Sequence, residues 1–160
     1  MDSKEILFFL DACRRGDVSD VAKMCELFPE LINASDSKGF TPLVIAAYNN
    51  QPAVVQLLLQ QGAIADAADR NGNTALMGAI FKGYPEVADL LLAAGAHPDT
   101  QNGQGATALT FAATFNRTAL AQRLLEAGAD KNIADSFGKL PLDHARIQNN
   151  QALVQLLDDK

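Results

Sequence analysis

The 160-residue sequence contains no tryptophan and only 6% aromatic residues. A β-sandwich fills its core with aromatic and β-branched side chains, so this chain lacks the material for one. Cysteine is scarce. Cys13 and Cys25 are the only two, too few for a disulfide framework or a zinc site, and they fit a reducing compartment. Long apolar runs are missing too: Ile6 to Leu10 is too short for a signal segment, and no window reaches a membrane span. Positive charge is in deficit, with 13 Lys and Arg against 19 Asp and Glu, a net charge of −6. Such a surface repels nucleic acid and anionic lipid unless a basic patch is concentrated locally. The expectation is a soluble, cytoplasmic, monomeric protein with no membrane partner.

What the sequence does have in quantity is alanine and leucine, 27 and 21 residues. Small Ala beside long Leu suits helices that approach closely, and both residues favour helix. The composition predicts an all-α protein. A period then organises it. Gly39, Gly72, Gly105 and Gly138 are spaced by 33, as are Gly62, Gly95 and Gly128. Leu43, Leu76, Leu109 and Leu142 keep the same step, and so do Asp36, Asp69, Asn102 and Asp135. Glycine makes up about 7% of an average chain, so two registers of it at one spacing mark an internal repeat.

One unit, 36–68, can be read physically. Asp36 and Gly39 supply turn chemistry. Thr41 can accept from free amides at a helix start, and Pro42 suits the first helical position. Leu43, Ala46 and Ala47 share a face of a short helix ending near Asn49 or Asn50. Pro52 begins a second helix, which Gly62 closes in a left-handed cap. An extended link from about Ala63 to Asp69 leads into the next turn. Such a pair cannot bury its apolar face alone, so units must stack into a solenoid. Five units are predicted: 3–35, 36–68, 69–101, 102–134 and 135–160. The first lacks the turn glycine and has one extra residue around Phe28-Pro29-Glu30, and the last finishes polar at Asp158-Asp159-Lys160. These atypical ends are expected to act as caps of a complete single domain, 1–160.

These residues resemble the ankyrin repeat, D-x-x-G-x-T-P-L-H-x-A-A followed by a G-A-D loop. The matches are Asp36, Gly39, Thr41, Pro42, Leu43, Ala46 and Ala47, then Asp69, Gly72, Thr74, Leu76 and Ala79. Gly105, Thr107, Leu109, Ala112 and Ala113 follow, with Gly128-Ala129-Asp130, and finally Asp135, Gly138, Pro141, Leu142 and Ala145. The resemblance implies an all-α solenoid of five helix-turn-helix units with short β-hairpin-like turns. The family's His is replaced by Val44, Met77, Thr110 and Asp143, which predicts weaker hydrogen bonding between repeats. Ala75 and Ala108 replace the helix-starting Pro, and Leu140 the capping Thr, at a cost of roughly 1 kcal/mol per lost cap. A small stand-alone chain of this kind also looks like bacterial ankyrin proteins.

The resemblance further implies a protein partner held by the hairpin tips and the concave face of the first helices. In those registers stand Arg14, Arg15, Tyr48, Asn49, Phe81, Lys82 and Phe115 on the helices. Lys38, Phe40, Arg70, Asn71, Phe137 and Lys139 stand at the turns. Tyr48, Phe81 and Phe115 would form an aromatic ridge, and exposed aromatics are typical binding anchors. With no acidic residue at these positions, the face predicts a basic-aromatic groove for an acidic, partly apolar segment of a partner. Catalytic groups do not converge. Cys13 and His144 lie in the first and fifth repeats, and His97 lacks companion metal ligands. Neither metal nor cofactor is expected, and the protein is expected not to be an enzyme. The alternatives are an accessory or regulatory subunit of an enzyme, for example a stress-related one, and, less favoured by charge, a nucleic-acid binder.

Overall fold

A computed structural model describes residues 3–158; Asp159 and Lys160, part of the expected polar end, lie outside the described residues. The elements among them are α1 (Ser3–Arg15), α2 (Val18–Leu27), α3 (Pro42–Tyr48), α4 (Pro52–Gln60), α5 (Ala75–Lys82), α6 (Pro85–Ala93), α7 (Ala108–Thr114), α8 (Thr118–Glu126), α9 (Pro141–Ile147) and α10 (Gln151–Asp158). The class is all-α. The extra residue of the first unit is absorbed in a 3-10 turn, Pro29–Asn33. Thr41, Thr74 and Thr107 begin their helices as expected, each hydroxyl accepting an amide three residues on, at 3.2–3.3 Å. Leu140 has no hydroxyl to offer. There Asp143 works in reverse, its carboxylate accepting the Leu140 amide at 2.8 Å.

The odd-numbered helices pack on one another in a row, as do the even-numbered ones, and the two rows face each other across the core. Alanine sets the spacing of the first row. Ala46, Ala47, Ala79, Ala112, Ala113 and Ala145 are completely buried, and their short side chains let backbones approach closely. The second row contributes longer side chains, among them Val54, Leu58, Leu91 and Leu124. Each is worth roughly 1.5–3 kcal/mol when fully removed from water.

The turns between repeats follow one plan. Asp36 accepts the amides of Lys38 and Phe40 at 2.8 and 2.9 Å, and Asp69, Asn102 and Asp135 repeat the pattern. The turns are hairpin-shaped, with one isolated bridge, Ala68 to Thr74, among the described residues. One expectation needs correction. The link after Gly62 is turned rather than extended, because the Ala67 amide donates to the Ile64 carbonyl at 3.2 Å. Without the family His, neighbouring repeats are still tied by hydrogen bonds. At the tips, Arg70, Gly103 and Ser136 amides donate to the Lys38, Asn71 and Gln104 carbonyls of the preceding repeat. In the loops after the second helices, Asn33, Asp66 and Asp99 side chains accept the Ile64, His97 and Asp130 amides of the following one.

Candidate partner-binding face

Three aromatic residues at the ends of successive first helices meet on one face. The Tyr48 and Phe81 rings stack with centroids 6.3 Å apart, and Phe115 meets Phe81 edge-on at 4.7 Å. Phe111, which sequence reasoning passed over, lies 6.1 Å from Phe115 and extends the group. Tyr48 and Phe115 remain 43% and 41% exposed. Aromatic pairing therefore orders the array while leaving much of its surface facing water. Lys82 lies over Tyr48, with Nζ 4.9 Å from the ring centroid.

Beside this array runs a groove of about 400 Å³ between α3, α5 and the hairpin 69–74. Phe40, Val44, Ile45, Met77 and Gly78 line it, with Asn49 and Asn71 at its polar border. The Asn49 side chain is committed, donating to the Ile45 carbonyl at 2.8 Å. Lys38 and Arg70 are exposed at neighbouring hairpin tips, tied through the Arg70 amide and Lys38 carbonyl at 3.2 Å.

Other members of the expected face are placed differently. Asp11, which the sequence reading left out of account, pairs with Arg14 at 3.5 Å and Arg15 at 3.0 Å. Their charge is thus partly compensated on α1. Phe137, at its hairpin tip, is 82% exposed and borders a smaller hollow with Phe115 and His144, while Lys139 is exposed nearby. Within that hollow, His144 Nε2 and Asp135 Oδ2 are 2.7 Å apart. Burial pushes the Asp135 carboxyl up, but hydrogen bonds from His144 and the Lys139 and Phe137 amides, with the His144 charge, hold it below its ordinary value. The cysteines are buried. Burial, reinforced by Cys25, pushes the Cys13 thiol up to about 12, and burial also raises Cys25. Both therefore behave as small core residues rather than reactive thiols. His97 is an exposed loop residue near Asp66.

Residues 9–102 match the family model described as ankyrin repeats (3 copies), and residues 91–145 match ankyrin repeats (many copies). The chain belongs to the ankyrin-repeat family. It is also 37% identical over 65 residues to BTB/POZ domain-containing protein 3 of Schizosaccharomyces pombe, a match covering 41% of this chain and 12% of that protein. Ankyrin repeats are protein–protein interaction modules, typically non-catalytic, so a protein partner is implied. No helix among the described residues is long and apolar enough to cross a membrane.

Two further residues matter to this ankyrin face. Arg117, just before α8, sends Nη2 to the Phe81 carbonyl at 3.0 Å, fixing the end of α5 beside the aromatic array. Gln51 does the same two interfaces earlier, bonding the Arg14 carbonyl at 3.0 Å. Gly78 stands one period from Ile45 and from Phe111. That gap in a register of large side chains could have been read from the aligned repeats.

Proposed function

We propose that this ankyrin protein binds an acidic, partly apolar segment of a protein partner across the first-helix face of its middle repeats. Tyr48, Phe81 and Phe115 serve as anchors, and Phe40, Asn49 and Asn71 border them. Lys38, Arg70 and Lys82 supply the charge that steers the partner in, with Phe137 and Lys139 extending the face toward the last repeat. Arg14 and Arg15 contribute less, since each shares Asp11. The observation that carries this reading is the ordered but half-exposed aromatic array over three repeats, with a cation on its first ring. Exposed apolar surface of this kind, bordered by polar groups, is what interaction sites look like.

The test is affinity capture from source-cell lysate by wild type, by an R70E/K82E variant and by a Tyr48, Phe81 and Phe115 to Ala variant. Each variant is first shown to keep its helical content and melting behaviour. A protein held by wild type and released by both folded variants supports the reading. Equal capture by all three removes it and moves the search to the second-helix face and the terminal repeats.

A further inference from the structure

Nine of the eleven glycines sit at positive φ, a conformation that other residues rarely adopt. Gly103 does not, but a Cβ there would stand 3.1 Å from the Asn71 carbonyl oxygen. Gly78 has neither reason. It lies inside α5, and an added Cβ would meet only Tyr48 Cδ2, at 3.4 Å. Glycine weakens a helix interior, and nothing in the packing of α5 excludes a methyl group. What the missing side chain does is leave open the part of the groove that Gly78 lines. One period away on either side, Ile45 and Phe111 become its walls. Val44, Tyr48, Met77 and Phe81 complete an apolar lining.

Several polar groups at the border are already engaged. The Asp69 carboxylate accepts the Asn71 and Asn73 amides at 2.8 and 2.9 Å, and Asn73 Oδ1 accepts from Asn102 at 2.9 Å. The slot interior therefore offers contact rather than hydrogen bonding. Three cations stand around it, against one lining carboxylate, Asp69. Lys38 and Arg70 flank the lining residues Phe40 and Asn71, Lys82 lies on Tyr48, and none of these three forms an ion pair among the described residues. On a chain of net charge −6 this rim is a local reversal, suited to carboxylates rather than to another copy of the same acidic protein. At about 400 Å³ the whole groove is near the lower end of ligand-sized pockets, roughly 300–1,000 Å³, and the slot is the part of it beside Gly78.

We infer that Gly78 is a specificity-determining residue: its slot receives one bulky apolar side chain, Leu, Met, Phe or Trp, from a partner segment that places Asp or Glu beside it. The inference rests on the proposed binding face and adds what enters it. The anchor fills the space between Ile45 and Phe111, while the neighbouring carboxylates meet Lys38, Arg70 and Lys82. The aromatic array carries the rest of the segment.

A random-peptide display library selected on wild-type protein tests this, followed by affinity measurements with the enriched peptides as synthetic probes. The expected result is a shared bulky apolar residue with an acidic neighbour. Gly78→Met, which fills the slot with a good helix former, should weaken those peptides by about tenfold or more. Gly78→Ala, which leaves most of the slot open, should weaken them much less. K38E/R70E should weaken binding and flatten its salt dependence. Circular dichroism melts confirm that each variant is folded. Enriched peptides without an apolar anchor, or equal binding to Gly78→Met, overturn the inference. If such peptides are nevertheless lost on the Tyr48, Phe81 and Phe115 to Ala variant, the binding face survives and only the slot falls. No enriched peptide, but a melting temperature raised by octanoate, gives the slot to a small amphipathic ligand and overturns it as well. So does self-association of the wild type that Gly78→Met abolishes.

Discussion

Gly78 and Gly72 lie six residues apart in the sequence, yet alanine should shift stability in opposite directions at the two sites. At Gly78 the backbone is already helical and the new methyl group meets one ring carbon at 3.4 Å. Mid-helix glycine is about 0.8–1.0 kcal/mol worse than alanine, so Gly78→Ala should gain about 0.5–1 kcal/mol. For a chain of this size that is a rise of about 1–4 °C in melting temperature. At Gly72 the backbone sits at φ +79°, and a Cβ would stand 2.9 Å from the Gly103 nitrogen and 3.0 Å from Asn102 Cα. The left-handed conformation costs alanine about 1–2 kcal/mol. The clash adds to this, because its partners are backbone atoms held by the bond from the Gly103 amide to Asn71. Gly72→Ala should therefore lose about 2 kcal/mol or more, a fall of about 4–8 °C. Thermal melts followed by far-ultraviolet circular dichroism, on both variants at equal concentration, decide the matter. A lower melting temperature for Gly78→Ala would refute the reasoning, since it would mean that Tyr48 cannot yield and that the fold itself needs the glycine.

Three other outcomes follow from the same contacts. Arg117→Met keeps most of the side chain's bulk but drops its charged hydrogen bond to the Phe81 carbonyl; the denaturant midpoint should fall by the equivalent of about 1–2 kcal/mol, and an unchanged midpoint would refute it. The lowered Asp135 carboxyl contributes stability that is present above the unfolded value near 3.9 and is lost as pH falls through its folded value. Asp135→Asn should thus cost stability near neutrality and progressively less in acid, measured as denaturant midpoints across pH; a constant difference would contradict the assignment. Cys13 is buried with its thiol pushed up to about 12. Intact-mass analysis should show native protein resisting iodoacetamide at about pH 8 and reacting once unfolded, whereas rapid native labelling would contradict its burial.

The sequence carried the architecture because repetition multiplies a weak local signal. A single Asp-x-x-Gly turn means little, but three of them and one Asn-x-x-Gly at one spacing determine where each helix pair begins. The helix caps at Thr41, Thr74 and Thr107 were legible for the same reason. What escaped was chemistry that differs from repeat to repeat. The first helices end on left-handed Gly16, Asn50, Gly83, Asn116 and Asn149. Asparagine tolerates that conformation and glycine invites it, so two residue types share one role and blur the register. Asp11 was invisible as a partner of Arg14 and Arg15 until the helix brought them to one side. Gly78 was hidden by its neighbours, because in this chain glycine nearly always marks a turn. The ridge residues Tyr48 and Phe81 could be paired from the period alone. Phe115 is displaced from that register by one position, and its edge-on meeting with Phe81 depends on ring orientations that no spacing records.

The bonds between repeats form three short rows, at the hairpin tips, at the Asn33, Asp66 and Asp99 loops, and at the turns joining first and second helices, where Gln51, Arg117 and Asn150 reach the preceding repeat. Under tension this arrangement has a mechanical meaning. A force on a terminal repeat loads the nearest of these rows before the others, so an interface should open as a hinge, one row at a time, rather than by sliding. The protein should then peel in steps, each 33-residue unit releasing roughly 110 Å of chain as it unravels. A partner lying along several repeats would stitch those hinges shut, turning a chain of separate fasteners into one stiff spring.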